Sequence, residues 1–216
     1  TQVDLSEITI TINQFVPEVY AYFDFEVDEQ TKTATLTSFN ESLAEGKTDI
    51  VIPASISKNA EEQWIEGNAY TVESIGGSVF RGCPSLTSIT LPSSLTSVGN
   101  FAFSNCSSLT GELNLGECTS LTSIGDYAFW ECRGLTGALN LGECTSLKSI
   151  GENAFSDCNG LTSITLPEGL KSIGNSAFDG CSGLTSLTLP SSLTIIGDRA
   201  FLRCSGLKEV IIDSEY

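Results

Sequence analysis

The chain has 216 residues, a formal net charge of −17, and neither histidine nor methionine. Such an acidic surface repels nucleic-acid backbones and anionic membrane surfaces, and the lack of histidine removes the commonest general base and metal ligand. No apolar run approaches the roughly 18–20 residues that cross a bilayer. The composition therefore argues against nucleic-acid binding, membrane insertion and histidine-based metal chemistry.

The N-terminal part reads as strands. Residues 1–18 hold a short alternating run, Ile8-Thr-Ile-Thr-Ile12, which fits either a strand of a cap or part of a leader or linker. From Val19 to Val27 apolar residues alternate on one face, a turn follows at 28–32, and residues 33–39 are extended. This pattern predicts a β-hairpin, placed to cover the apolar end of whatever follows it.

Residues 75–216 form an array of six copies of one phrase, I/V-G-x-x-A/V-F-x-x-C-x-x-L. Successive copies start 23 or 26 residues apart, and leucines recur at fixed offsets. Self-similarity with such a period is typical of a solenoid, in which each coil buries its apolar face against its neighbours. The six copies start at Ile75, Val98, Ile124, Ile150, Ile173 and Ile196.

One coil can be followed from Ile150. Ala154, Phe155 and Cys158 have the spacing of about one turn of α or 3₁₀ helix, and we expect them to point inward. Residues 161–166 alternate as a strand does, and Pro167 ends it. The predicted fold is therefore a β-rich leucine-rich repeat solenoid, with short parallel strands plus short helical turns in each coil and an N-terminal β-hairpin cap.

The eight cysteines test whether this chain depends on disulfides. Six share one slot of the phrase and should form a buried column, where cysteine behaves as a small hydrophobe. Cys118 and Cys144 occupy a second shared slot in the 26-residue coils. A strand spacing of about 5 Å also falls within the range for a bridge, so disulfides stay an alternative to reduced thiols. No C-x-x-C pair indicates a metal site, and we predict no metal and no cofactor.

A candidate binding surface lies on the coil that starts at Ile124, where Tyr127, Trp130 and Arg133 are close together in the sequence. The slot of Trp130 holds Arg, Ser, Asp or Leu in the other copies, a range that a buried slot would not accept. We therefore expect Trp130 to be exposed, either as a binding anchor or as an incidental surface aromatic. The outward positions of the main strands are instead small and polar: Ser88, Thr90, Glu112, Asn114, Ala138, Asn140, Ser163, Thr165, Ser186 and Thr188.

The phrase L-x-x-I-x-L-P-x-x-L-x-x-I-G-x-x-A-F-x-x-C, as in Leu161–Cys181, resembles the BspA-like or treponemal-type leucine-rich repeats over about residues 50–212. Residues 19–74 then comprise the cap and an irregular first repeat, with 57–68 as an inserted loop carrying Trp64. The resemblance implies a protein of a host-associated bacterium with a role in adhesion. Such a protein is secreted or held at the cell surface, where a lipid anchor is one form of attachment.

The function predicted from the sequence is a non-catalytic, cell-surface module for protein interaction or adhesion. No carboxylate pair in a cleft, G-x-S-x-G or P-loop indicates an enzyme. We expect an extracellular monomer whose partner is a protein of a host or microbial surface. One alternative is a glycan-binding module that uses Trp130, Trp64 and Tyr127. Another is a structural stalk without a ligand, within a larger surface protein.

Overall fold

The computed structural model describes residues 20–44 and 46–212, which form short strands and no helix. The predicted leader or cap strand within residues 1–18 lies outside this range. The sixteen strands of the described residues are β1 (Phe23–Asp28), β2 (Thr33–Phe39), β3 (Asp49–Val51), β4 (Ser55–Lys58), β5 (Trp64–Glu66), β6 (Tyr70–Ile75), β7 (Ser88–Thr90), β8 (Ser97–Val98), β9 (Ser123–Ile124), β10 (Thr136–Asn140), β11 (Ser149–Ile150), β12 (Gly160–Thr165), β13 (Ser172–Ile173), β14 (Ser186–Leu189), β15 (Ile195–Ile196) and β16 (Glu209–Ile212).

Two sets of stacked strands run along the array. The longer sheet has the order β1-β2-β6-β8-β9-β11-β13-β15, with β4 and β5 beside β6. The other set comprises the pair β3-β7 and the four-stranded sheet β10-β12-β14-β16. Strands of neighbouring coils are parallel and in register, so that Ile150 lies beside Ile124 and Ile173. The strands of the repeat array therefore pair with strands one coil away, which confirms the predicted solenoid.

A column of phenylalanine side chains runs through the centre of the array. Consecutive ring centroids are 4.9–5.6 Å apart, and consecutive ring planes are within 6° of parallel. The column is buried until its last member, which is half-buried. Offset stacking at this distance is favourable, so the repeated slot adds the same contact at every coil. The members are Phe80, Phe103, Phe129, Phe155, Phe178 and Phe201.

The segment from Gly151 to Cys158 consists of turns rather than the predicted helical turn. Asn153 and Asp157 have positive φ angles of 51° and 59°, and the residues in the same two slots of every coil are also left-handed. The N–H groups of Asn153, Phe155 and Asp157 donate to carbonyls of the following coil at 2.7–2.9 Å. These bonds between coils replace the bonds along the chain that a helix would make. Inward spacing of i, i+1 and i+4 is compatible with either geometry.

All eight cysteines are free and buried. In the five coils from Cys106 onward, the thiol of the repeat slot donates to the carbonyl of the phenylalanine one coil earlier, with S···O distances of 2.9–3.3 Å. Burial raises the pKa of the Cys118 and Cys204 thiols to about 11, because a thiolate is poorly solvated there. The structure thus has the stack of reduced thiols rather than the disulfide alternative.

The predicted hairpin cap is present. β1 and β2 are antiparallel with Phe23 opposite Phe39, and β2 pairs in parallel with β6. The rings of Phe23 and Phe39 lie 6.3 and 4.9 Å from that of Phe80, the first member of the phenylalanine column. The hairpin therefore covers the apolar end of the first full coil. The predicted alternation breaks at Ala21, which is exposed, because the chain turns there and buries Tyr22 instead.

The inserted loop predicted at residues 57–68 is largely a second hairpin, formed by the antiparallel strands β4 and β5. Trp64 on β5 is half-buried, with its ring edge-on to Phe25 at 5.5 Å. The Lys58 ammonium lies 5.0 Å from the centre of the Trp64 ring. Trp64 thus packs against the hairpin cap, and this contact leaves it poorly placed for the glycan-binding role considered above.

Candidate functional site

The structure brings two of the three candidate residues together. The rings of Tyr127 and Trp130 meet edge to face with their centroids 6.0 Å apart. Arg133 is exposed, and its guanidinium forms an ion pair with Glu131 at 3.1 Å. The expectation for Trp130 needs adjustment, since its side chain is half-buried rather than fully exposed. The three residues lie on one edge of the solenoid, in the turns of a single coil.

The slot of Trp130 explains this intermediate burial. Ser104 and Ser156, which fill the same slot in the coils before and after, are both buried. The Ser104 hydroxyl oxygen is buried with no hydrogen-bond partner among the described residues. Small side chains in this slot therefore stay beneath the surface, whereas a large one such as tryptophan extends out to it. The variety of residue types in the slot indicates a boundary position, not a fully exposed one.

Phe101, a residue that the sequence analysis did not single out, belongs to the same surface. Its ring stacks on that of Tyr127 from the adjacent coil, with centroids 4.8 Å apart and planes 6° from parallel. The Arg81 guanidinium, from the coil before, lies 5.1 Å from the centre of the Phe101 ring. The signal was available in the sequence: the fourth position of the phrase is aromatic in two consecutive copies. It appears only when coils are compared slot by slot.

Both stacked residues have an unusual backbone. Phe101 and Tyr127 have φ angles of 59° and 56°, in the left-handed region. The fold requires this conformation at the fourth slot, which other coils fill with serine, asparagine or arginine. A left-handed conformation costs an L-residue with a side chain about 1–2 kcal/mol, and asparagine tolerates it best. Large aromatic residues are therefore poor choices for this slot on local conformational grounds alone.

The polar groups around these rings are mainly acidic. The Tyr127 hydroxyl donates to Glu152 Oε1 at 3.3 Å. Partial desolvation and the nearby Glu152 carboxylate raise the pKa of Tyr127, so its hydroxyl stays protonated at neutral pH. Within the described residues, no cluster of three or more cysteine, aspartate or glutamate side chains is arranged to hold a metal ion. The site offers aromatic surface, one guanidinium and hydrogen-bonding carboxylates.

The main strand face has the composition that the sequence predicted. Its outward side chains are exposed, apart from the half-buried Ala138 and Ser163. The face is divided at the first 26-residue coil, where an isolated bridge between Gly111 and Leu135 stands in place of a regular strand. Small polar side chains carry little binding energy, so the aromatic edge is the stronger candidate.

A family model described as the BspA type leucine rich repeat region matches residues 52–139 and 122–216 of this chain, with six copies of the repeat. Members of this family are generally non-catalytic repeat proteins. No curated protein matches the chain. Within the described part of the chain, there is no helix able to cross a membrane.

Three solved bacterial structures are similar. A leucine rich repeat protein of T. pallidum is 28% identical with a TM-score of 0.74, and the match covers 91% of this chain and 82% of that one. A leucine rich cell surface protein from Faecalibacterium prausnitzii A2-165 is 28% identical, with a TM-score of 0.62 and coverage of 93% and 56%. A leucine-rich repeat protein from Bacteroides ovatus ATCC 8483 is 27% identical, with a TM-score of 0.59 and coverage of 91% and 52%.

This chain thus spans little more than half the length of the last two proteins. The solenoid is of a type consistent with a protein-interaction module. The repeated phrase, the stacked phenylalanines and thiols, and the six matched copies all agree on one assignment. The chain belongs to the BspA-type leucine-rich repeat family.

Proposed function

We propose that this chain is a non-catalytic adhesion module that binds a protein on a host or microbial surface through one aromatic edge of its solenoid. We call this edge the aromatic patch: Phe101, Tyr127 and Trp130, with Arg133 at its rim. Protein interfaces are enriched in tryptophan, tyrosine and arginine, which supply large contact area at little cost in side-chain entropy. The patch combines these residue types on two adjacent coils.

The observation that carries the proposal is the left-handed backbone of Phe101 and Tyr127. Stability of the coil would favour asparagine in that slot, as at Asn153, because asparagine tolerates the left-handed conformation better than an aromatic residue does. A strained conformation occupied by a bulky residue is typical of functional positions, where contact with a ligand outweighs the local cost. Binding gives these two aromatic residues a role beyond the stacking of one ring on the other.

The ring geometry favours a protein over a glycan. Sugars bind aromatic residues by packing against an open ring face. In the patch, the facing sides of Phe101 and Tyr127 cover each other, and Arg81 lies over the Phe101 ring. The Phe101 ring therefore has partners from both neighbouring coils, which leaves less open ring face for a sugar to pack against.

A location outside the cell follows from the same proposal, with the chain secreted or held at the surface by a lipid anchor. Support comes from the F. prausnitzii relative, which is 28% identical and is described as a cell surface protein. The chain's net charge of −17 keeps such a module soluble and limits unspecific binding to anionic surfaces.

The test is an affinity capture from host epithelial and extracellular-matrix extracts with the wild type and Trp130→Ala side by side. Thr188→Ala, on the polar strand face, is the matched control. We expect a protein that the wild type and the control capture and that Trp130→Ala loses, with purified-partner affinity reduced at least about tenfold. Matching far-ultraviolet circular dichroism and a cooperative melting transition in all three proteins would confirm that the variant is folded.

The alternatives give different results in the same comparison. If the wild type binds oligosaccharides on a glycan array and Trp130→Ala does not, the partner is a glycan instead of a protein. If the wild type binds nothing in the extract capture and nothing on the glycan array, the result favours a structural stalk. A partner that Trp130→Ala retains in full would contradict the proposal that the aromatic patch is the binding site.

A further inference from the structure

One edge of the main strand face, the set β3-β7 and β10-β12-β14-β16, is open among the described residues. β3 pairs in parallel with β7 and with no other described strand. The carbonyl of Thr48 and the N–H of Ile52 bond toward β7. Backbone groups alternate in direction along a strand, so those of Asp49 and Val51 point away from β7. An open edge of this kind is a template for another strand.

A groove lies beside this edge. Asp49 and Val51 of β3 line a cavity of about 290 Å³ together with Tyr20 and Glu66. Val51 is 57% exposed, and apart from the last coil it is, with Leu43, the large apolar side chain that the described residues leave exposed. The groove therefore combines apolar surface with backbone groups that have no described partner, as sites for strand addition do.

The order of strands along the chain indicates what is missing here. From β6 onward, strands of the longer sheet follow strands of the main strand face: β3 precedes β6, β7 precedes β8, β10 precedes β11, β12 precedes β13 and β14 precedes β15. In place of such a strand, β9 follows the isolated bridge at Gly111. β2 takes the next place in the longer sheet, yet no described strand of the main strand face precedes it. The missing strand belongs to the chain before Tyr20.

Residues 9–12, which lie outside the described residues, have the composition of a main-face strand. Their sequence Thr-Ile-Thr-Ile places hydroxyl and aliphatic side chains as Ser-Ile-Thr-Leu does in residues 88–91 and again in 163–166. In 163–166 the two aliphatic side chains are buried and Thr165 is exposed. The same alternation in residues 9–12 provides one face for the core and one for solvent.

The described chain begins in the right place for this strand. Tyr20 lines the cavity beside β3, and its N–H donates to the carbonyl of Trp64 at 2.8 Å. Seven residues join Ile12 to Tyr20. Such a link spans up to about 27 Å when extended, so it can lead from a strand beside β3 to Tyr20.

We propose that residues 9–12 form the first strand of the main strand face and pair in parallel with β3. The register that continues the array places Ile10 beside Ile50 and Thr11 beside Val51, as β7 does on the other side of β3. Ile10 then extends the buried face, and Thr11 covers the Val51 side chain. The proposal selects the cap strand over the leader or linker, and it is independent of the aromatic patch.

Disulfide trapping in the full chain tests the pairing. Thr11→Cys with Val51→Cys places two outward thiols on neighbouring strands, with Cα atoms about 5 Å apart and within the range for a bridge. We expect mild oxidation to give an intramolecular disulfide, located by peptide mass spectrometry. The matched control, Thr9→Cys with Val51→Cys, shifts the pair by two residues to about 8 Å, beyond that range, and should give at most about a tenth of the yield. The native cysteines are buried and compete little.

Hydrogen exchange gives a second measurement that needs no new cysteine. Because the Val51 N–H faces the open edge, pairing should slow its exchange in the wild type at least about 100-fold relative to an unprotected peptide. Ile10→Asp places a charge in a buried slot and should remove most of this protection, whereas Thr11→Ser on the outward face should keep it.

Equal disulfide yields in the two cysteine pairs overturn the proposal and leave residues 1–18 as a leader or linker. Unprotected exchange at Val51 in the wild type overturns it as well. A disulfide that joins two chains contradicts pairing within one chain and indicates that copies exchange this segment.

Discussion

The phenylalanine column and the aromatic patch use the same stacking distance in two different environments. Phe103 and Phe129 inside the array stack at 5.0 Å, and Phe101 and Tyr127 on its edge stack at 4.8 Å. The interior contact recurs from coil to coil, whereas the edge contact occurs between two coils only. A contact that recurs at every coil is explained by the fold, and one confined to two coils calls for an explanation outside it.

The largest expected effect comes from breaking the interior column. Phe155→Ala removes a fully buried ring from the middle of the array and leaves a cavity between two neighbouring rings. We expect the free energy of unfolding to fall by about 3–5 kcal/mol. Urea denaturation monitored by circular dichroism measures it, and an unchanged midpoint would contradict the stacked interior.

A second test uses the thiols that lie beside this column. The pKa values of Cys118 and Cys204 are raised from 9.0 to about 11 in the folded chain. Between pH 9.0 and about pH 11 the thiols of the unfolded chain lose their protons, whereas those of the folded chain keep them. The contribution of these thiols to stability is therefore fully present below pH 9 and is lost as the pH rises. We expect a lower urea midpoint at about pH 10.5 than at about pH 8.

Tyrosine ionisation contributes to the same fall, since the pKa values of Tyr70 and Tyr127 are also raised. A variant with both Tyr70→Phe and Tyr127→Phe separates the two causes. The loss of stability with pH should persist in this variant if the buried thiols are responsible. A variant that shows no fall would assign the effect to the two tyrosines instead of the thiols.

Removing the tryptophan of the patch should cost much less than removing an interior ring. Trp130 is half-buried, so Trp130→Ala should reduce the free energy of unfolding by about 1–2 kcal/mol, below the range for fully buried aromatic residues. Thermal melting alongside Phe155→Ala measures the difference. Equal losses in the two variants would mean that Trp130 serves the core, which would weaken the binding proposal.

The smallest effect is expected at Phe101. Phe101→Asn loses the stacking on Tyr127, worth about 0.5–1.5 kcal/mol, but relieves the left-handed conformation of an aromatic residue, which asparagine adopts more readily. The two contributions oppose each other, so stability should change by less than about 1 kcal/mol. Partner binding should fall nevertheless. A large destabilisation with unchanged binding would mean that Phe101 serves the fold, as the phenylalanine column does, and does not serve binding.

Much of the fold could be predicted because the period makes every slot visible several times. The phenylalanine and cysteine columns follow directly from equal spacing, and alternation between Phe23 and Val27 indicates the first hairpin. The turns after Gly151 could not be assigned from one coil, because inward spacing of i, i+1 and i+4 fits a helical turn equally well. What decides between them is the hydrogen bonding to the next coil, which is a tertiary contact.

The candidate site was less accessible to prediction. Tyr127 and Trp130 were found from residue type, but Phe101 lies 26 residues earlier and meets Tyr127 only through stacking of coils. The left-handed backbone of both residues has no sequence signal, since neither is glycine or asparagine. For Trp64 the sequence suggested an available aromatic side chain in an inserted loop. The loop instead forms a hairpin, and Trp64 packs against Phe25.

The hydrogen bonds between coils have a mechanical consequence. They run along the direction in which coils stack, so a pulling force applied along that direction acts on the bonds of one coil at a time. We expect coils to detach singly, and each 23- or 26-residue coil would release about 80–90 Å of extended chain. A solenoid of this design lengthens stepwise under load, and each step dissipates work.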